Sequence, residues 1–447
     1  MRRSWAAFSL VLAMLILSGC AGEQPKGLPA QPHPIVVFDI GTLRADHLGC
    51  YGYERPVSPN IDALAGESVR FEWAFAQAPH TAPAQASLLT GLYPSTHGML
   101  TELNRLPAAA TTLAEALAEH GYLTAAFVDG GYVSDDFGFD QGFTQFENFR
   151  GAGLEEIGPE AIAWLRANAG ESFLLLIHTY DTHTPYDPPP SHRQFLEGLE
   201  PATAGFAAPA EQMEAARAAA AGGTRAPLAE HDLEFAKALY DGEIQFVDSW
   251  IGKIIEELRQ LGLDQRATIV LVSDHGEEFQ EHGTVLHDRL YTTITRVPLL
   301  MRLPGGQSAG VVSQVVESID VKPTLLELAG AELPPGIQGE SLLPLIRGEG
   351  QPPFLAYGES TFHGGERFIS MGGYQLIHNL ETDAAELYHF SDDPLELKAV
   401  DDSGRAEALR VRLDEWQQKV ARAALGQEQA PMDEDTLEQL RSLGYVQ

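Results

Sequence analysis

The stretch Ala78 to Gly98, APHTAPAQASLLTGLYPSTHG, decides the reading of this chain, together with Ser273-Asp274-His275-Gly276-Glu277 far downstream. In the first stretch Pro83 suits the opening turn of a helix expected from about Ala84 to Leu92. Thr81 stands just ahead of it. A hydroxyl there faces the positive end of the helix dipole and its free N–H groups, which favours an oxyanion. Taken alone, Thr81 reads first as a helix cap, a common role for threonine. In the second stretch the run Ile269-Val270-Leu271-Val272 ends directly in Ser273, Asp274 and His275. A carboxylate and an imidazole thus sit side by side at what reads as the end of a buried strand.

Other apolar runs end the same way. Ile35-Val36-Val37-Phe38 runs into Asp39, Leu123 to Val128 into Asp129, and Phe173 to Ile177 into His178, Asp181 and His183. Continuous apolar runs separated by helical patterns predict a parallel sheet covered on both faces. Ligands of such sheets collect at the carboxyl ends of the strands, where these polar clusters lie. Thr112-Leu113-Ala114-Glu115 is a capping-box pattern opening a helix that closes near Gly121. A long amphipathic helix is expected from about Leu233 to Leu261. Pro188-Pro189-Pro190 and the Ala-rich tract from Pro201 to Pro227 form an insertion, with a helix expected at Ala210 to Ala221. Low complexity gives the tract no chemistry, so it reads as a surface insertion rather than a lid. From Phe354 the texture changes to short strand-like pieces and a terminal helix from about Arg405 to Ala424.

These segments resemble the active-site segments of the sulfatase branch of the alkaline phosphatase superfamily. The resemblance runs from about Pro34 to the C-terminus and takes in Tyr240-Asp241-Gly242-Glu243-Ile244, Asp320 to Glu327 and Leu440 to Val446. It implies an α/β fold: a mostly parallel, alkaline-phosphatase-like sheet flanked by helices, with a smaller C-terminal α+β part. It also implies a metal-dependent hydrolase of sulfate or phosphate esters, acting on a small-molecule or glycan ester. The family motif is Cys or Ser, any residue, Pro, Ser, Arg, and later Thr-Gly; here it reads Thr81-Ala82-Pro83-Ala84-Gln85, then Thr90-Gly91. Formylglycine is made from Cys or Ser, so none is expected. What the resemblance leaves is a threonine alkoxide held by a metal, as in the phosphodiesterase and lipoteichoic acid synthase relatives, with its hydroxyl pKa lowered by coordination.

The same resemblance assigns further residues. Asp274 and His275 match a metal-binding pair; carboxylate with imidazole suits Zn or Mn, and a more oxygen-rich set suits Ca. The family's other ligand aspartate falls on Gly41. Asp39 lies on the same strand face but about 6.6 Å further back, at about 3.3 Å per residue, and is a candidate substitute. The candidate metal set is therefore Asp274, His275, Thr81 and Asp39, around one divalent ion. His183, in His183-Thr184-Pro185-Tyr186, and His287, in His287-Asp288-Arg289, match histidines that serve the ester oxyanion or leaving group, so the candidate catalytic residues are Thr81, His183 and His287. Gln85 and Asp129 stand where relatives carry an arginine and a lysine, which removes cations from the anion pocket. With Gly41, these departures also fit an alternative: a catalytically degenerate, sulfatase-fold binding or scaffold lipoprotein.

Arg2 and Arg3, an apolar run from Trp5 to Leu17 and Leu17-Ser18-Gly19-Cys20 read as a secretory signal ending in a lipobox. Residues 1–19 would be removed, Cys20 lipidated, and residues 20–33 left as a tether. The catalytic-type domain is expected over residues 34–350 and the C-terminal subdomain over 351–447. Ala21 after the cysteine points to the outer membrane, on its periplasmic face. Only Cys50 then remains, so there is no disulfide framework. The formal charge of the 447-residue chain is −34, and loss of Arg2 and Arg3 makes it −36. Such acidity excludes nucleic-acid binding by a basic face. It also repels an anionic ester at long range, so a site for one needs a local cation.

Overall fold

The apolar runs become neighbouring strands. The structure, a computed structural model, describes residues 32–442 except 102, 203–212, 214, 216, 219–227, 307–308 and 433. The signal, Cys20 and most of the Ala-rich tract lie outside the described residues. The main sheet comprises β1 (Ile35–Ile40), β2 (Val69–Phe75), β3 (Leu123–Val128), β4 (Gln145–Asn148), β5 (Phe173–Thr179), β6 (Thr268–Val272), β7 (Arg296–Arg302) and β8 (Gly310–Glu317). Their order is β8-β2-β7-β6-β1-β5-β3-β4. All pairings are parallel except those of β7, which runs antiparallel to both β6 and β2. Strands β2, β7 and β8 carry Arg70, Glu72, Pro298, Ser313 and Gln314 within their span, so a search for unbroken apolar runs passes over them. Pro298 falls where the β7–β2 register shifts, the irregular position at which a sheet tolerates proline.

Alternation along β1 builds the core in two layers. Val36, Phe38 and Ile40 pack with α3 (Gly153–Asn168) and α4 (Glu230–Gln260), through residues such as Ile157, Leu239 and Ile244. Ile35 and Val37 point the other way, into the layer of α1 (Thr81–Thr90), α2 (Leu113–Glu119) and α5 (Val321–Ala329). Helix α1 starts at Thr81, not Ala84; His80 is its N-cap residue and Gly91, at φ +68°, turns the chain out of its last turn. Every residue of α1 is buried, so it shows no amphipathic stripe in the sequence. The capping box forms as read, with Thr112 and Glu115 bonded to each other's backbone N–H at 3.1 and 2.8 Å.

The C-terminal part is an antiparallel meander of β9 (Leu355–Ser360), β10 (Glu366–Met371), β11 (Tyr374–Asn379) and β12 (Ala385–Tyr388). One face holds α6 (Ser403–Arg422) through Leu409, Leu413 and Trp416. The other packs Phe368, Ile377 and Phe390 onto Phe75 and Val315 of the main sheet. Among the described residues no helix is long and apolar enough to cross a membrane.

Candidate active site

Strand parity aims the polar ends at α1. Asp39 continues the face of Ile35 and Val37, His178 that of Leu174 and Leu176, and Asp274 that of Val270 and Val272. Asp39 pairs in register with His178 on one side and Val272 on the other. Gly41 and Asp274 therefore belong one layer further out than Asp39 and His178.

In the outer layer Thr81 Oγ1 lies 3.2 Å from His275 Nε2. The other ring nitrogen, Nδ1, lies 2.9 Å from the Gly276 carbonyl. A carbonyl only accepts, so Nδ1 carries a proton, and in the neutral ring Nε2 offers its lone pair to the Thr81 hydroxyl. Asp274 Oδ1 accepts from the backbone N–H of Thr42 at 3.0 Å and of His275 at 2.7 Å. Its Oδ2 stands 3.5 Å from His275 Nε2 and has no hydrogen-bond partner among the described residues. Gly276 makes this turn possible: a Cβ there would stand 2.2 Å from the Thr293 carbonyl, and its N–H bonds the Ile294 carbonyl at 2.6 Å. The loop after β1 is held from the opposite layer by Tyr240, whose hydroxyl donates to Thr42 O at 2.7 Å and accepts from Arg44 N at 2.9 Å.

His183 and His287 meet beside this pair. His183 Nδ1 donates to Thr184 O and His287 Nδ1 to Pro79 O at 3.1 Å, while their Nε2 atoms face each other at 3.2 Å. Burial lowers both: His183 falls to about 4, and His287, pressed further by His275, lies well below the ordinary value. Two ring nitrogens so placed are set to take a proton between them when a group carrying one enters. Asp288, next in the chain, accepts a bidentate pair from Arg217 at 2.8 and 2.7 Å. Burial acts to raise the Asp288 carboxyl, but His363 and Arg217 hold it below the usual carboxylate range. The reading of the Ala-rich tract as a plain surface insertion is corrected here. Met213 is fully buried in the core and Arg217 reaches the site. Neither has a sequence signal, because a single Met or Arg in low-complexity sequence looks like any other.

Asp129 is not an anion-pocket residue. Its oxygens accept from the N–H of Gly153 at 2.9 Å and of Tyr180 at 3.0 Å, tying β3 to the start of α3 and the end of β5. The lysine position of the family has become a backbone clamp. Gln85, one turn into α1 from Thr81, is fully buried with neither amide atom in a well-formed hydrogen bond. Asp39 is equally buried, its oxygens likewise unbonded. Burial first, then the Asp274 carboxylate, push its pKa well up, while Gln85 beside it favours the charge. His178, buried with both ring nitrogens unbonded, is lowered by burial to about 4.

A divalent cation, which the resemblance implies, fits this donor set: acceptor-only carboxylate oxygens are buried here without donors. Among the described residues no three His, Cys, Asp or Glu side chains form a metal group by themselves, so an amide or hydroxyl oxygen has to complete the shell. Thr81, His183, His275 and His287 are at most 4% exposed. Phe362 stacks on His80 at 3.9 Å and, with the Arg217–Asp288 pair, covers the site.

Residues 35–331 match the family model described as Sulfatase. Residues 280–423 match one described as N-sulphoglucosamine sulphohydrolase, C-terminal. The N-acetylglucosamine-6-O-sulfatase of Bacteroides thetaiotaomicron is 25% identical over 91% of this chain and 88% of its own. A solved structure in complex with its substrate D-glucosamine-2-N,6-O-disulfate superposes with a TM-score of 0.73 at 20% identity, covering 87% of this chain and 98% of that one. The phosphonate monoester hydrolase of Silicibacter pomeroyi gives 0.71 at 18% identity, covering 88% and 96%.

Proposed function

From the premise that this chain belongs to the sulfatase family, we propose a hydrolase of sulfate, phosphate or phosphonate esters in which Thr81 is the nucleophile. The observation that carries the reading is the 3.2 Å contact of Thr81 Oγ1 with Nε2 of His275, the ring nitrogen not turned to Gly276 O. It is a nucleophile–base pair with the base oriented by Gly276 O. Thr81 opens α1, so charge developing on its oxygen and on the ester oxygens meets the helix dipole and the free N–H groups of the first turn. His275 takes the hydroxyl proton as the threonine oxygen bonds to sulfur or phosphorus. The bond to the leaving alcohol oxygen breaks, and that oxygen takes the proton His275 removed from Thr81, relayed over the Nε2 lone pairs of His287 and His183. Water then cleaves the threonine ester, its proton returning through the same groups. Asp39 and Asp274 would hold a divalent cation, which would supply Lewis-acid stabilisation of the anionic ester. His275 Nε2 has one lone pair, and its contact with Thr81 assigns that lone pair to the proton, leaving the carboxylates for the cation.

The names of the relatives point to glycan or small-molecule esters as substrate. The test is turnover of aryl and glycan sulfates, phosphates and phosphonates by wild type, Thr81→Ala and Thr81→Ser. Thr81→Ala should lose at least about 10³-fold in kcat, and Thr81→Ser should keep activity within about tenfold. Equal rates in wild type and Thr81→Ala would reject the nucleophile. No turnover of any ester by folded wild type would leave the alternative, a sulfatase-fold binding lipoprotein. Placement at the envelope through a lipid on Cys20 belongs to the same proposal.

A further inference from the structure

Gly41 occupies the family's carboxylate position, and the space for a side chain there is tight. A Cβ at Gly41 would meet the Thr179 carbonyl at 3.2 Å and Cδ1 of Tyr180 at 3.3 Å. One strand layer deeper the situation reverses. Asp39, Gln85 and His178 are each 0% exposed, and none of their side-chain oxygens or nitrogens makes a well-formed hydrogen bond. Asp274 Oδ2, just above, is in the same state. Asp39 and His178 are register neighbours on adjacent strands, Gln85 reaches Asp39 from α1, and Asp274 acts electrostatically on Asp39 and on His178.

A buried polar group without a partner costs about 1–3 kcal/mol, and more when charged. Seven such atoms, six on Asp39, Gln85 and His178 and one on Asp274 just above, would be a heavy defect unless something else satisfies them. Two carboxylates only accept, so a positive centre between them answers the need better than another acceptor. Gln85 lies against Asp39 and as placed favours its charge through the amide NH2; with the amide turned over, its oxygen gives that centre a third oxygen, in the place where the family's arginine would have repelled it.

We propose that Asp39, Asp274 and Gln85 hold a hard divalent cation (calcium, manganese or magnesium) one strand layer deeper than Gly41, with His178 lining its side. The assignment rests on the cation-dependent reading above and sharpens it. Loss of the carboxylate at 41 is compensated by Asp39 two residues back, and loss of the arginine at 85 makes room for the displaced ion. The oxygen-rich set selects a hard cation over zinc. Thr81 and His275 are then left to each other.

The test is metal content by elemental analysis and the shift of thermal unfolding on titration with Ca²⁺, Mn²⁺, Mg²⁺ and Zn²⁺ after chelation. The proteins are wild type, Asp39→Asn, Gln85→Leu, His178→Phe and Thr81→Ala. Wild type should take up one equivalent of a hard cation and unfold at higher temperature with it. Asp39→Asn and Gln85→Leu should weaken that binding by at least about tenfold, and His178→Phe by less. The chelated Asp39→Asn protein should be at least as stable as chelated wild type, because it no longer holds a buried carboxyl whose ionisation burial and Asp274 oppose; this separates lost binding from failed folding. Thr81→Ala should bind within about twofold of wild type while losing turnover, so the nucleophile and the cation are tested apart. Wild type that takes up no cation, full-strength binding by Asp39→Asn and Gln85→Leu, or equal loss in Thr81→Ala would each overturn the site.

Discussion

At Thr81, identity and position say different things. The residue type excludes formylglycine, but what the hydroxyl does depends on His275, which lies 194 positions away in the chain and 3.2 Å away in space. The imidazole's tautomer is set in turn by Gly276 O, so three residues read from two distant stretches act as one unit. A second buried histidine shows what burial alone does. His97 accepts the Met99 N–H at Nδ1, at 3.1 Å, and donates from Nε2 to Ser87 Oγ at 3.1 Å. Burial pushes it from 6.5 to about 3. Its folded pKa lies below the unfolded value, so the unfolded chain binds the proton first as pH falls. The stability it contributes is complete above about 6.5 and is lost between there and about 3. Urea midpoints measured from pH 7 to pH 4 should therefore fall with acid, and His97→Gln, which keeps a donor and an acceptor but does not titrate, should reduce the slope. An unchanged slope would mean that other groups govern acid unfolding.

Among the elements, α1 and the Ala-rich insertion carry the lessons. Helix α1 was legible as a helix from Pro83 and the Thr90-Gly91 end, yet its start was read three residues late. The N-cap is His80, which makes no side-chain cap bond and so leaves no capping signature. The insertion gave no chemistry in sequence, and the structure places two of its described residues against the core and the site. Met213 and Arg217, four residues apart, bury one and dock the other on Asp288. Arg217 also brings a positive charge near His183 and His287, in a pocket that lacks the family's lysine and arginine. We expect Arg217→Ala to raise KM for an anionic ester by about tenfold with a smaller change in kcat, the cost of one bidentate charged contact. Arg217→Lys should recover only part, since an ammonium cannot match the fork. A kcat loss with KM unchanged would instead make Arg217 a transition-state contact.

Over the whole molecule, the two sheets share a core at Phe75, Phe368 and Phe390. Phe368 is fully buried on the C-terminal sheet, so Phe368→Ala should cost about 3–5 kcal/mol. Because its partners belong to the main sheet, a single cooperative transition should shift; separate transitions for the two parts would show that the shared core does not couple them. At this scale the acidic charge matters too. A formal net charge of −34 repels anionic esters from the surface as a whole, so capture depends on local cations at the site. Cys20→Ala should move the protein from the membrane fraction to the soluble fraction of the envelope, and an unchanged distribution would reject the lipid anchor.

By itself the sequence determined the sheet, its carboxyl-end site and the family. Unbroken apolar runs have few alternatives to buried parallel strands, and a turn residue such as Gly91, at φ +68°, answers to local sterics that any copy of the motif must meet. Strands β2, β7 and β8 stayed hidden because Arg70, Glu72, Pro298, Ser313 and Gln314 interrupt their apolar runs and break the continuous signal. Tertiary structure alone decided depth and partnership. Asp39 and Gly41 share a face, and the two-residue period cannot say which layer meets Gln85, His178 and Asp274. Asp129 likewise looked like a lost cation until its oxygens were seen to hold the backbone of two other elements. Contacts between residues far apart in the chain are set by register and helix placement, which are properties of the packed whole and leave no mark on any single stretch.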